Sequence, residues 1–167
     1  MDKCYSDADI RQKLGNECRI MLYRHLLNFD NIDDALGPEE AMIILYEQRD
    51  SYGHWTCCFK DGDTIYFFDP YGIFPDDQLE EINAHYRLIS GQGERWLAYL
   101  LGTSGYDIDY NNHELQSEKK GVNTCGRWSV ARIKNKHLDS DEFAQLFEAS
   151  PGVTPDQLVV AYTDKLF

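Results

Sequence analysis

The chain of 167 residues is 43% hydrophobic and 13% aromatic, which suits one domain over 1–167 with a sizeable core. Its formal net charge of −13 disfavours unaided binding to nucleic acid or to an anionic membrane, and no apolar run reaches the roughly 20 residues of a membrane span. The charge permits attraction to a basic partner, although an acidic surface also serves solubility alone.

The N-terminal third of the chain predicts a helix, a helical turn and a strand. Its first residues lack a basic segment followed by an apolar one, so we expect no signal peptide. Residues 6–9 (SDAD) have the form of a capping box and Gly15 offers a stop, which together predict the first helix. Residues 31–38 predict a short helical turn. The near-continuous apolar run 41–47 is typical of a buried central strand.

Two strand-like runs, 54–60 and 63–69, flank the dipeptide Asp61-Gly62, which is a strong signal for a β-hairpin. With this dipeptide as the two-residue turn, counting back along both strands sets His54 opposite Asp69. Directly opposed residues have Cβ atoms about 4.5–5.5 Å apart on one face, which suits a bond between an imidazole and a carboxylate. A three-residue loop would instead turn one partner to the other face.

The rest of the chain predicts mainly helices. The predicted elements are helices at 75–85, 95–101, 124–136 and from Ser140 to about Pro151, a strand at 106–110, and a C-terminal helix opened by Thr154. Order and composition therefore predict an α+β fold, a small and mostly antiparallel sheet with helices packed around it.

One cysteine occupies a position typical of a nucleophile. Cys125 comes just before the apolar, helix-like run 128–133, so it lies at a helix start, where the helix dipole favours the thiolate over the thiol. The five cysteines are scattered without metal-ligand spacing, which indicates reduced thiols in an intracellular compartment and no metal site. We expect the others to be structural or incidental: Cys57 and Cys58 in mid-strand, Cys18 in an amphipathic stretch, and Cys4 near a mobile end.

A histidine and an acid on the hairpin would complete a nucleophilic site. His54 would act as the base, and Asp69 would hold its ring in one tautomer and one orientation. Trp55 is expected to pack beneath the site. The alternative for an isolated His–Asp pair is a surface ion pair worth roughly a few tenths of a kcal/mol. The remaining histidines, His25, His85, His113 and His137, lack a carboxylate partner that the sequence can place.

Attack on an amide creates an oxyanion that needs fixed hydrogen-bond donors. The backbone N–H of Cys125 is one candidate, because it lies at a helix start. Gln116, which follows the strand at 106–110, is the best-placed side-chain donor. Its competitors are Asn111, Asn112 and Asn123.

Four short strings, taken in order, resemble one family. They are Tyr-Gly-His-Trp (52–55), Phe-Phe-Asp-Pro-Tyr-Gly (67–72), Leu-Gln (115–116) and Asn-Thr-Cys-Gly-Arg-Trp (123–128). They resemble the adenain-like cysteine peptidases, the clan of adenovirus maturation proteases and SUMO/ubiquitin-like-protein proteases. They look most similar to the maturation proteases of virophages, Polinton-like elements and large DNA viruses. The resemblance runs from about residue 43 to residue 133.

The resemblance implies an adenain/SUMO-protease-like (papain-like) fold with the nucleophile at a helix N-terminus. It implies Cys125 as nucleophile, His54 as base, Asp69 as orienting carboxylate and Gln116 as oxyanion donor, with no metal or organic cofactor. It further implies cleavage of capsid or other virion precursor proteins, in the virion and in the virus factory of the host cytoplasm. A basic peptide could activate such an enzyme, whereas the charge of −13 makes activation by DNA unexpected.

Two other functions fit parts of the same pattern. One is a deubiquitinase or SUMO-type isopeptidase acting on host conjugates, which would need a surface for a whole folded modifier. The other is a catalytically silent binding or assembly protein. The complete Cys–His–Asp set favours an enzyme, because a silent relative usually loses one of the three.

Overall fold

The computed structural model describes residues 3–166. Residues 1, 2 and 167 belong to the predicted domain 1–167, and the first two to the segment inspected for a signal peptide, but they lie outside the described residues. The strands are β1 Arg19–Leu22, β2 Ala41–Arg49, β3 Tyr52–Asp61, β4 Thr64–Phe68 and β5 Asp107–Tyr110. The helices are α1 Asp7–Leu14, α2 Ile32–Leu36, α3 Ala84–Ile89, α4 Trp96–Gly102, α5 Cys125–Lys134, α6 Ser140–Gln145 and α7 Pro155–Asp164, with 3-10 helices at Tyr23–Asn28 and Asp77–Glu81.

The strands form one five-stranded sheet in the order β1-β2-β3-β4-β5. The pairs β2–β3 and β3–β4 are antiparallel, whereas β1–β2 and β4–β5 are parallel. The α+β class is confirmed, but the sheet is mixed rather than mostly antiparallel. Parallel neighbours need a crossover. Here the 3-10 helix Tyr23–Asn28 and α2 supply the first crossover, and α3 and α4 supply the second.

Helices cover both faces of the sheet, which explains why β2 is apolar at nearly every position. Alternate residues of a strand point to opposite faces. One set packs against α1, α5, α6 and α7, and its members on β2 are Ala41, Ile43 and Leu45. The other set packs against α2, α4 and the 3-10 helices, and its members on β2 are Met42, Ile44 and Tyr46. The predicted strand at 41–47 is therefore confirmed as a buried, interior strand.

The hairpin forms, but its predicted register is wrong by two residues. The turn is Gly62-Asp63, so Asp61 pairs with Thr64 and the strands continue from there. Gly62 takes the first turn position with a φ of 61°, a conformation that glycine adopts without strain. Because the shift is even, every side chain keeps its face. His54 and the residue that follows β4, Asp69, are therefore diagonal neighbours on one face rather than directly opposed.

The local capping signals predict several helix ends correctly. The capping boxes at Ser6 and Thr154 both form, and Gly15 ends α1. The single helix expected at 75–85 is wrong, because Asn83 caps a separate α3. The N-cap of α6 is Asp139 rather than Ser140, and α6 ends at Gln145.

Two further findings concern the described residues as a whole. Strand β1, which the sequence did not predict, has four residues of intermediate burial and so carries little periodic signal.

Among residues 3–166, no helix is both long enough and apolar enough to cross a membrane.

Candidate functional site

The thiol of Cys125 lies at the first residue of α5, which packs on the middle strand β3. Thr124 is the N-cap of this helix, and the cysteine side chain is 7% exposed. The Trp55 backbone N–H donates to Cys125 Sγ at 3.4 Å. Both this donor and the positive end of the helix dipole stabilise negative charge on sulfur. The structure therefore places a backbone N–H donor and a helix N-terminus at this thiol.

Two glycines allow backbone segments to approach closely around this thiol. A Cβ on Gly126 would lie 2.6 Å from Tyr5 Cβ, so only glycine lets α5 begin against the N-terminal segment. A Cβ on Gly53 would overlap the carbonyl oxygen of Tyr46 on β2. The start of β3, which carries His54 and Trp55, can therefore sit tightly on its neighbour.

His54 and Asp69 form a buried pair. His54 Nε2 lies 2.8 Å from Asp69 Oδ1, and the two side chains are 5% and 1% exposed. The same carboxylate oxygen accepts the backbone N–H of Tyr71 at 2.8 Å. The Tyr71 ring stacks on the imidazole with centroids 4.7 Å apart and planes inclined by 7°. Carboxylate and stacked ring together restrict the imidazole to one orientation.

The charges around the imidazole favour its protonated form. Burial alone lowers the pKa of His54, but the Asp69 carboxylate and a hydrogen bond with Cys125 outweigh it and raise the pKa to about 10. Because Nε2 is bonded to Asp69, Nδ1 is the nitrogen left to face the thiol. An imidazolium next to a thiolate is the arrangement that activates cysteine nucleophiles.

Gln116 lies in the same cleft as these groups. Its side chain is 2% exposed, and its backbone N–H donates to the Pro70 carbonyl at 2.9 Å. One side-chain N–H donates to the Val122 carbonyl at 3.3 Å, and the role of this amide as an oxyanion donor stays a prediction. The side-chain oxygen is buried without a partner among the described residues.

The structure separates the three competing asparagines. Both N–H groups of the Asn111 amide are used within the fold, because its Nδ2 donates to the carbonyls of Asp69 and His113 at 2.8 and 2.9 Å. Asn112 is exposed, and Asn123 lines the cleft. Asn111 therefore braces the segment that carries Asp69 instead of facing the cleft.

The cleft has a volume of about 390 Å³ and brings together residues from distant parts of the chain. Its lining includes Cys4, His54, Tyr71, Gln116, Asn123 and Cys125. Sequence reasoning missed three contributors: the stacking ring of Tyr71, the brace at Asn111, and the thiol of Cys4. Tyr71 belongs to the quoted string 67–72, so a signal existed there, whereas nothing near Cys4 pointed to the cleft.

Three of the five cysteines do not line the cleft. Cys18, Cys57 and Cys58 are buried in the two cores, and all five cysteines, each within the described residues, are free thiols. Burial raises the pKa of Cys18 to about 12 and also raises that of Cys58. Such thiols stay protonated and unreactive near neutral pH. Within residues 3–166, no three His, Cys, Asp or Glu side chains are grouped so that they could hold a metal ion.

Comparison of the sequence with curated proteins finds a relative, and comparison of the structure with solved structures identifies the fold. No protein-family model matches the chain. The uncharacterized protein V9 of the Sputnik virophage is 41% identical over 162 residues, which cover 95% of this chain and 93% of that protein. The crystal structure of the ASFV pS273R protease superposes with a TM-score of 0.52 at 16% sequence identity, covering 100% of this chain and 69% of that one. The likeness shows the shared fold: this chain has the SUMO-protease-like α+β fold.

Proposed function

We propose that this chain, which belongs to the same family as protein V9 of the Sputnik virophage, is a cysteine endopeptidase that processes viral capsid or other virion precursor proteins. The observation that carries the proposal is one cleft that holds Cys125 at a helix start, the buried His54–Asp69 pair and the Gln116 amide. The fold shared with the ASFV pS273R protease is compatible with this chemistry.

The proposed reaction uses only groups of the chain and water. The Cys125 thiolate attacks the carbonyl carbon of an extended peptide, forming a C–S bond while the carbonyl electrons move to oxygen. The backbone N–H of Cys125 and the free N–H of Gln116 stabilise that oxyanion. The C–N bond then breaks as the His54 imidazolium gives its proton to the leaving amine. Water hydrolyses the thioester with His54 as base, which restores the free enzyme.

The electrostatics support this division of roles. Since folding raises the pKa of His54 to about 10, the imidazole is charged at neutral pH and ready to donate to a leaving group. Asp69 Oδ1 lies 2.8 Å from His54 Nε2 and fixes the imidazolium, although Asp69 itself does not line the cleft. The Trp55 N–H at 3.4 Å adds a fixed donor to the sulfur.

The substrate side of the proposal follows from charge and from the viral relative. We expect a precursor protein presented as an extended segment, in the virion and in the virus factory of the host cytoplasm. A net charge of −13 suits a basic peptide or capsid segment as activator and disfavours activation by DNA.

The SUMO-protease-like fold also keeps a second substrate class open, ubiquitin or SUMO conjugates of the host. Ubiquitin and SUMO propargylamide probes separate the two classes, because only an isopeptidase would be labelled at Cys125. We expect no labelling above that of a Cys125→Ala variant.

The direct test incubates the purified protein with candidate capsid precursors and with an amine-blocked, proteome-derived peptide library. Mass spectrometry then reads the new N-termini. We expect cleavages that share a motif and that disappear with Cys125→Ala, whose circular dichroism should remain that of the parent. New termini that persist in the Cys125→Ala variant, or their absence from both proteins, would rule the proposal out.

A further inference from the structure

Asp156 is a buried carboxylate that contacts both ends of the loop between Gln116 and Cys125. Its side chain is 3% exposed, although it lies in the first turn of α7. Oδ2 accepts the backbone N–H of Ser117 at 2.9 Å. Oδ1 accepts the Thr124 hydroxyl at 2.6 Å and the Trp128 indole N–H at 3.0 Å. One carboxylate thus binds the residue after Gln116 and the residue before Cys125.

The loop between these two ends also has hydrogen bonds of its own: the Val122 N–H donates to the Lys119 carbonyl and the Lys119 N–H donates to Ser117 Oγ, both at 3.2 Å. Residues 118–121 are exposed. An exposed loop is free to change shape unless its ends are held. The distance between the two proposed oxyanion donors depends on how those ends are held, because Gln116 and Cys125 lie just outside them.

Asp156 is not needed to cap its own helix. Thr154 accepts the Gln157 backbone N–H at 3.2 Å, and the Gln157 side chain accepts the Thr154 N–H at 2.9 Å. This capping box already satisfies the start of α7. Both carboxylate oxygens of Asp156 are therefore used outside its own helix, on Ser117, Thr124 and Trp128.

We propose that Asp156 is a positioning residue that holds Gln116 at its working distance from Cys125 by fastening the two ends of the loop 117–124. The proposal rests on the proposed peptidase function, because it assigns Asp156 to the oxyanion geometry of that reaction. Asp156 touches neither the substrate nor the reacting atoms and acts through Ser117 and Thr124.

An Asp156→Asn substitution removes one contact of this link and keeps the other. The amide oxygen can keep both donors at the Oδ1 position, the Thr124 hydroxyl and the Trp128 indole. The amide nitrogen then faces the Ser117 N–H, and two donors cannot bond to each other. The variant therefore removes the contact at Ser117, next to Gln116, while the start of α5 stays in place.

The experiment compares the parent, Asp156→Asn and a matched control, Thr154→Ala, which weakens the same helix end without touching the loop. The substrate is a fluorogenic peptide carrying the cleavage motif from the library screen. We expect Asp156→Asn to lower kcat about tenfold to hundredfold with KM within about twofold, as misplaced catalytic groups do. Iodoacetamide alkylation of Cys125, read by mass spectrometry, should stay within twofold of the parent, and Thr154→Ala should change none of these values.

Hydrogen exchange gives a readout that needs no activity. The Ser117 amide should exchange at least tenfold faster in Asp156→Asn than in the parent, and at the parental rate in Thr154→Ala. A parent that cleaves no substrate would defeat the peptidase proposal and leave this measurement to test the link itself.

Three results would overturn the inference: a kcat within twofold of the parent, an unchanged Ser117 exchange rate, or alkylation of Cys125 that slows in proportion to kcat. The last result would mean that the substitution disorders α5 as a whole. If Asp156→Asn does not fold, Thr124→Val tests the same link from its other end, because it removes one donor to Oδ1 and keeps the side-chain shape. It should also lower kcat at constant KM, and an unchanged kcat there would refute the link.

Discussion

The Asp69→Asn substitution tests whether the negative charge of Asp69 keeps the His54 imidazole protonated in the cleft. The carboxylate lies 2.8 Å from His54 Nε2, and both side chains are nearly inaccessible to water. An asparagine fits the same space and keeps an oxygen for the Tyr71 N–H, but it removes the negative charge. Burial is the largest single influence on the pKa of His54 and lowers it, and without the Asp69 charge only the smaller effect of Cys125 opposes it.

The magnitude follows from the shift in the pKa of His54. Folding raises it from 6.5 to about 10, and each unit corresponds to about 1.4 kcal/mol, so the neighbours stabilise the imidazolium by on the order of 5 kcal/mol. Loss of most of this stabilisation corresponds to a fall of about 10³-fold in kcat/KM at pH 7.5. Replacing the orienting acid of a hydrolase triad by its amide has an effect of similar size, about 10⁴-fold.

The assay measures kcat/KM from pH 5 to 10.5 with the fluorogenic peptide. The parent should stay active until the imidazolium loses its proton near pH 10, whereas the variant should lose activity at or below neutral pH. The matched control is Asp141→Asn, since Asp141 lies 2.7 Å from His113 in an exposed pair with side chains 77% and 40% accessible. Such a pair contributes little, so this control should keep its activity. A variant with more than a tenth of the parental kcat/KM, or with an alkaline limit still near pH 10, would refute the reasoning.

Three further predictions follow from the same geometry. Gln116→Ala should lower kcat about 10²–10³-fold with little change in KM if its amide serves as an oxyanion donor; a rise in KM with kcat unchanged would contradict that role. Gly53→Ala should destabilise the fold by about 3 kcal/mol or more in urea unfolding, because its Cβ would overlap the backbone of β2, whereas Gly102→Ala, with open space around it, should cost nothing. The stabilisation that the raised pKa of His54 provides is full below about pH 6.5 and lost as the pH rises through about 10. The difference in unfolding free energy between the parent and Asp69→Asn should therefore narrow from pH 6 to pH 10, and a constant difference would contradict the pairing.

Short local patterns in the sequence predict much of the fold. Capping boxes at Ser6 and Thr154 and the start of α5 at Cys125 depend on residues within one turn of each other, so short patterns predict them. The same holds for the faces of the hairpin. Its register was predicted two residues away from the observed one, yet His54 and Asp69 still share a face, because side-chain direction depends only on whether the shift is even or odd.

The remaining features depend on contacts between distant segments, which no short window contains. The parallel pairs β1–β2 and β4–β5 require crossovers whose ends meet only in the folded chain. The link from Asp156 to Ser117 spans 39 residues, and Cys4 lines the cleft next to Tyr5, which packs on Gly126 and accepts the Trp55 indole N–H. The sequence by itself determined which side chains this protein can use and which way the local elements turn them. Only the tertiary structure decided which of them meet, since those contacts are selected by the closure of the whole core.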